Sequence, residues 1–129
     1  MEGKNKILLV DDDPKNIFAL KLTLIARGFA CVCAQDAREA IATLHNDKGE
    51  IGLVLMDMMM PGIDGYEAMN LIKDDEHIND IPIVAVTAQA MNGDREKCLE
   101  AGAAAYLSKP IDVDQLLVVI NEHLNAPAD

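Results

Sequence analysis

Four short polar stretches each follow an apolar run, and their residue types together suit phosphoryl chemistry. Asp57 closes Leu53-Val-Leu-Met56 and precedes a turn at Pro61-Gly62. Asp11-Asp12-Asp13 follow Ile7-Leu-Leu-Val10, Thr87 follows Ile83-Val-Ala-Val86, and Lys109-Pro110 follows the run that ends at Leu107. If Asp12 and Asp57 come together, two carboxylates about 4 Å apart repel by roughly 4 kcal/mol at an effective dielectric near 20. A proton, a lysine or a metal must offset that. A hard divalent cation such as Mg²⁺ takes a few protein oxygens, keeps waters, and leaves room for phosphate. An ammonium such as that of Lys109 offsets the acidic pair and can hold a phosphoryl oxygen, while the Thr87 hydroxyl can donate to another. These parts make an aspartyl-phosphate site, in which a carboxylate attacks phosphorus. Each also has an ordinary explanation: a solvated helix N-terminus for the aspartates, a surface Lys-Pro turn and a threonine helix cap. The contiguous aspartates lack the spacing of an EF-hand loop. What favours the chemical reading is that all four stretches fall at the carboxyl ends of strands, the edge at which open α/β sheets bind ligands.

The elements that would position them alternate along the chain. Short apolar runs bounded by turn formers read as strands at Ile7–Val10, Phe29–Ala34, Ile51–Met56, Ile83–Val86 and Ala103–Leu107. Helical spacing of Ile17, Leu20 and Leu24 predicts a helix that begins at Pro14, where proline suits the first turn, and stops at Gly28. Asp36 caps a second helix with Ala40, Ile41 and Leu44, and residues 46–50 form a polar loop. Residues 62–65 turn into a third helix with Ala68, Met69 and Ile72, and residues 74–80 form a charged loop. A fourth helix runs from about Asp94 to a glycine stop at Gly102. Asp112 caps a fifth with Leu116, Leu117, Ile120 and Leu124. Strands that all read as buried, alternating with helices, predict a parallel sheet covered on both faces. A length of 129 residues fits one α/β domain spanning 1–129, with its core at about 6–124.

Composition narrows the partners. A formal net charge of -11 repels phosphate backbones and anionic lipid, and the four aromatic residues offer no stacking platform. Nucleic-acid and membrane binding are therefore not expected. The start of the chain lacks the apolar region of a signal peptide, and three cysteines without framework spacing suit a reducing compartment, so a cytoplasmic location is expected. Cys31 and Cys33 share one face of the second strand and read as buried thiols. Cys98 and the scattered His45, His77 and His123 receive no role, and the methionines at 56 and 58–60 read as packing residues.

Taken together, the stretches ILLVDDDP (7–14), LVLMDMMMPGIDGYEAM (53–69), IVAVTAQA (83–90) and AGAAAYLSKPID (101–112) resemble the receiver domain of bacterial response regulators. The likeness extends from Lys6 to about Leu124. It implies a flavodoxin-like, doubly wound sheet of strand order 2-1-3-4-5 with five helices. It further implies that Asp57 is the phosphoacceptor, that Asp12 binds Mg²⁺ directly and Asp11 mainly through water, and that the backbone carbonyl of Met59 is a further ligand, with Mn²⁺ as a substitute ion. Lys109 matches the family lysine, with Pro110 after a cis peptide. Thr87 and Tyr106 match the switch pair, whose movement alters the surface of the fourth helix, fifth strand and fifth helix. The implied partner is a histidine kinase or histidine phosphotransfer protein, and the implied state is a monomer or a phosphorylation-linked dimer.

Several functions remain to be told apart. The chain is expected to be a phosphoacceptor domain rather than an enzyme, with only self-phosphorylation and slow self-dephosphorylation of its own. It reads either as a stand-alone regulator or as a receiver segment of a hybrid histidine kinase or multidomain regulator. A Mg²⁺-dependent phosphohydrolase would usually carry a second aspartate two residues after its nucleophile, where this chain has Met59. An interaction module that never carries phosphate would have no need of all these residues. Met59 and Gln89 flank the expected route of a hydrolytic water, and a thioether cannot orient that water. Met59→Asn should accordingly speed loss of phosphate from the phosphorylated protein; an unchanged decay rate would remove Met59 from this role.

Overall fold

The computed structural model describes residues 6–47, 49–58, 65–87 and 94–124, without the side chains of residues 94 and 95. The expected turn at 62–65 therefore falls outside the described residues up to Gly65, as do Met59 and Gln89. Ten elements alternate in chain order: β1 (Lys6–Val10), α1 (Pro14–Ala26), β2 (Ala30–Ala34), α2 (Ala37–Asn46), β3 (Ile51–Asp57), α3 (Gly65–Lys73), β4 (Ile83–Thr87), α4 (Asp94–Glu100), β5 (Ala105–Ser108) and α5 (Val113–Leu124). The strands form one parallel sheet of order β2-β1-β3-β4-β5, the doubly wound arrangement expected.

Local chemistry explains where the helices start and stop. Asp13 caps α1 by accepting from the Lys15 backbone N–H at 3.0 Å, and Pro14 occupies the first turn, where its missing N–H costs no hydrogen bond. The helix ends in paired bonds from Gly28 N–H to the Ile25 carbonyl and from Phe29 N–H to the Leu24 carbonyl, each 3.0 Å. That closure needs a left-handed residue, and Gly28 supplies φ 94°. The same closure recurs after α4, where Gly102 (φ 117°) and Ala103 donate to Leu99 and Cys98. Asp36 caps α2 through the Glu39 N–H at 2.8 Å, and Glu39 reaches back to the Gln35 N–H at 2.9 Å.

Side-chain alternation divides the core into two layers. Leu8, Val10, Val54, Met56 and Ala85 pack against α2, α3 and α4 through Leu44, Met69, Ile72 and Cys98. Ile7, Leu9, Leu53, Leu55, Val84, Val86 and Leu107 pack against α1 and α5 through Leu24, Leu116 and Ile120. The central strands β3 and β4 are buried at every position.

The expectation that all strands are buried needs correction at both edges. Residues of β2 and β5 are mostly half-buried, because an edge strand has a neighbour on one side only. Cys31 and Cys33 are consequently half-buried rather than buried, while Cys98 is fully enclosed. Even so, burial first, and then the neighbouring Cys33, push the Cys31 thiol up to about 11. At neutral pH it stays protonated and behaves as a packing group.

Candidate functional site

Backbone ladders place each polar residue at the end of a strand or just past it. Asp11 N–H donates to the Ala34 carbonyl at 3.1 Å, carrying the β1–β2 ladder one residue beyond β1. Met58 N–H donates to the Val86 carbonyl at 2.9 Å and pins the end of β3 at Asp57. Lys109 N–H donates to the Thr87 carbonyl at 2.9 Å, extending β5 along β4. Since Val10 lies beside Met56 in register, Asp11 comes beside Asp57. By alternation Asp11, Asp57 and Lys109 continue the rows Ile7-Leu9, Leu53-Leu55 and Ala105-Leu107, so all three side chains emerge on the α1/α5 face.

There they meet. The Lys109 ammonium lies 3.4 Å from Asp57 Oδ2 and 3.6 Å from Asp11 Oδ2. Asp11 Oδ1 accepts from the Asp13 N–H at 2.9 Å, and Asn16 Nδ2 lies 3.5 Å from Asp11 Oδ2. Carboxylate oxygens of Asp11, Asp12 and Asp57 all fall within 4.8 Å of one another. Asp11 and Asp57 are buried, whereas Asp12 is exposed. Burial pushes the Asp11 carboxyl above its ordinary value. The Asp57 charge adds to that, while the Asp13 N–H and the Lys109 ammonium oppose it. Three carboxylates thus face one ammonium among the described residues. Such an excess of negative oxygen donors suits a hard divalent cation, whose ligands stand about 2.0–2.1 Å from it for Mg²⁺.

Thr87 and Tyr106 occupy the other face. Thr87 continues the row of Ala85, and Tyr106 lies beside Ala85 in register and packs against the α2/α3/α4 layer. Thr87 is buried and Tyr106 half-buried. Alternation turns the threonine–tyrosine row away from the carboxylate–lysine row, while Thr87, as the last residue of β4, stands at the same carboxyl edge as Asp57. Tyr106 also borders a hollow of about 390 Å³ with Leu107, Asp114, Gln115, Val118 and Val119. The Lys109–Pro110 peptide is cis.

Sequence reasoning missed two features. Asn16, in the first turn of α1, approaches Asp11; an amide one turn after an acidic strand end is the only signal of it. It also borders a cavity of about 580 Å³ that runs from Asp11, Asp57 and Lys109 between α1 and α5, past Ile17 and Leu20. Second, α1 is apolar on two faces. Ile17 and Leu24 meet the sheet, while Phe18, Leu22 and Ile25 are 64%, 55% and 51% exposed at i, i+4, i+7 spacing. Gly65 shows a further constraint: a Cβ there would fall 2.6 Å from Met58 Cα, so α3 can start this close to the end of β3 only with glycine.

A parallel 2-1-3-4-5 sheet with an acidic cluster and a lysine at its carboxyl edge defines a class, and sequence comparison agrees. The profile of the response regulator receiver domain matches residues 7–121, and the chain belongs to that family, the receivers of two-component signalling. Hybrid signal transduction histidine kinase I of Dictyostelium discoideum is 40% identical over 124 residues, which cover 92% of this chain but 7% of that protein. The polar-differentiation response regulator DivK of Brucella anthropi is 32% identical over 118 residues, covering 92% of this chain and 94% of DivK. Among solved structures, the receiver domain of a sensor histidine kinase from Pseudomonas aeruginosa PAO1 has magnesium coordinated in its active-site cleft. It is 33% identical, with a TM-score of 0.84, covering 97% of this chain and 100% of that one. The receiver domain of Ssk1 from Saccharomyces cerevisiae, crystallised with the histidine phosphotransfer protein Ypd1, is 28% identical with a TM-score of 0.86, covering 100% and 96%. No helix among the described residues is long and apolar enough to cross a membrane.

The strained charge balance has a measurable consequence. Because the folded protein raises the Asp11 pKa, Asp11 favours folding most at pH below its ordinary value of 3.8, and that contribution falls as pH rises through the folded value. In metal-free buffer at neutral pH, Asp11→Asn should raise the urea midpoint, and the gain should shrink toward pH 3. A midpoint that stays level or drops at neutral pH would mean that attraction to Lys109 outweighs burial and repulsion.

Proposed function

We propose that this chain is a phosphoacceptor whose Asp57 takes a phosphoryl group from a phosphohistidine. The observation that carries this is the meeting of Asp57, Asp11 and Lys109 on one face at the carboxyl edge of the sheet, with Asp12 beside them. A carboxylate oxygen of Asp57 attacks phosphorus in line, the P–N bond breaks, and its electron pair returns to the departing imidazole. Lys109, 3.4 Å from Asp57 Oδ2, follows the negative charge onto the transferred oxygens. Asp11, Asp12 and Asp57, with the Met59 carbonyl implied by family resemblance, would hold Mg²⁺, and Mn²⁺ shares the same preference for oxygen. When bound, such an ion neutralises the carboxylates and the phosphoryl oxygens.

Thr87 then engages the phosphoryl group and Tyr106 follows, biasing a two-state surface built from α4, β5 and α5. Met59 and Gln89 tune the loss of phosphate, which is slow. The domain spans 1–129 with its core at about 6–124, and acts in the cytoplasm as a monomer or phosphorylation-linked dimer. A histidine phosphotransfer protein is favoured as partner by the Ssk1 likeness. The exposed Phe18-Leu22-Ile25 stripe, which starts beside Asn16 at the site, is the surface on which it would dock. A second reading, a receiver segment of a hybrid histidine kinase, draws support from the 40% identity to one such protein, of which this chain spans only 7%.

Labelling with acetyl phosphate and with a phosphorylated phosphotransfer protein, both in Mg²⁺, tests the proposal. Asp57→Asn should abolish the label; persistent label would place the acceptor elsewhere. Leu22→Asp should slow transfer from the protein donor by roughly tenfold, about 1.4 kcal/mol of interface energy, and leave acetyl phosphate labelling intact. An unchanged protein-donor rate would move the docking surface off α1.

A further inference from the structure

At the amino edge of the sheet, far from the carboxylate cluster, the last turn of α2 meets the loop between α3 and β4. His45 Nε2 lies 2.6 Å from Asp75 Oδ2. Asp75 Oδ1 accepts the His77 N–H at 3.0 Å, which holds His77 against the same carboxylate. The two imidazole rings stand edge to face, with centroids 5.9 Å apart and planes at 66°. The His77 backbone N–H, and after it the His45 contact, keep the Asp75 carboxyl below its ordinary value, so it is ionised at neutral pH.

Two imidazoles and a carboxylate are a donor set for zinc-like ions, whereas Mg²⁺ prefers oxygen alone. An ion about 2.0–2.1 Å from a ring nitrogen sits roughly 3.2 Å from that ring's centroid, so two rings on one tetrahedral ion have centroids roughly 5 Å apart. The observed 5.9 Å is within a side-chain adjustment of that value. His45 and Asp75 are already in contact. The three donors are not yet gathered as tightly as the aspartates at the other edge, the group whose donor atoms lie within 4.8 Å. His77 is exposed, and turning an exposed ring is a picosecond-to-nanosecond event.

We propose that His45, Asp75 and His77 form a second metal site, for a zinc-class transition-metal ion, completed when the His77 ring turns toward the His45–Asp75 pair. Occupied, it would replace the His45–Asp75 hydrogen bond with a coordinate link between the end of α2 and the loop that leads into β4. The net charge of -11 favours any cation near this surface. The site shares no residue with the phosphoryl chemistry and stands or falls independently of it.

Calorimetric titration of the full chain with ZnCl₂, in excess MgCl₂ to occupy the aspartate cluster, tests the proposal. One saturable site is expected, weakened at least roughly tenfold by His45→Ala and by His77→Ala and unchanged in Asp57→Asn and Cys33→Ser. Long-range ¹H–¹⁵N spectra of the imidazoles should show one nitrogen of each ring shifting with zinc. Absence of saturable binding, binding undiminished in His77→Ala, or loss of binding in Cys33→Ser would each overturn it.

Discussion

Two buried carboxylates on neighbouring strands, Asp11 and Asp57, are the constraint around which this protein is built. Left alone, such a pair would take up a proton or push its strands apart. Lys109 reaches both but offsets only one charge, and Asp12 adds a third carboxylate. The pocket is therefore an incomplete charge balance, held by a rigid backbone. The ladder bonds at Asp11, Met58 and Lys109 prevent the strand ends from relaxing apart, so the unfavourable charge is retained in the fold.

Register decides whether those charges meet. β1 and β3 begin paired at Lys6 and Ile51, and a shift then sets Ile7 beside Leu53, passing over Gly52. Without that shift Val10 would lie beside Leu55, and Asp11 beside Met56. A one-residue slip in a strand exchanges its two faces. The irregularity is what brings Ile7, Leu9 and Asp11 into line with Leu53, Leu55 and Asp57. The same alternation on β4 and β5 sends Thr87 and Tyr106 to the opposite face. The two rows are joined through the backbone, where the Lys109 N–H bonds to the Thr87 carbonyl.

The helices meet different demands on the two faces. α2 and α3 pack inward through Ala40, Leu44, Met69 and Ile72, with Leu71 alone of their large apolar residues exposed, whereas α1 carries several apolar residues outward as well as inward. Burying Ile17 and Leu24 satisfies the core and leaves Phe18, Leu22 and Ile25 in water. A monomer with no use for that stripe would gain nothing from keeping it apolar. Close approach is also managed locally: Gly65 permits α3 to begin against Met58, next to the end of β3.

Much of this was legible in the sequence. Helix limits followed from Pro14, Gly28, Asp36 and Gly102, because caps and left-handed glycines act over a few neighbouring residues. The strands, and the polar residues at their ends, followed from apolar runs for the same local reason. The sequence could not show that β2 and β5 lie at the edges with half-buried thiols at Cys31 and Cys33, since burial depends on which strands are neighbours. Nor could it reveal the shift at Gly52, the approach of Asn16 to Asp11, or the contact of His45 with Asp75 across 30 residues. By itself the sequence determined which residues stand at the ends of elements. Only the tertiary structure decided which of those ends touch, because register and strand order arise from contacts between segments far apart in the chain.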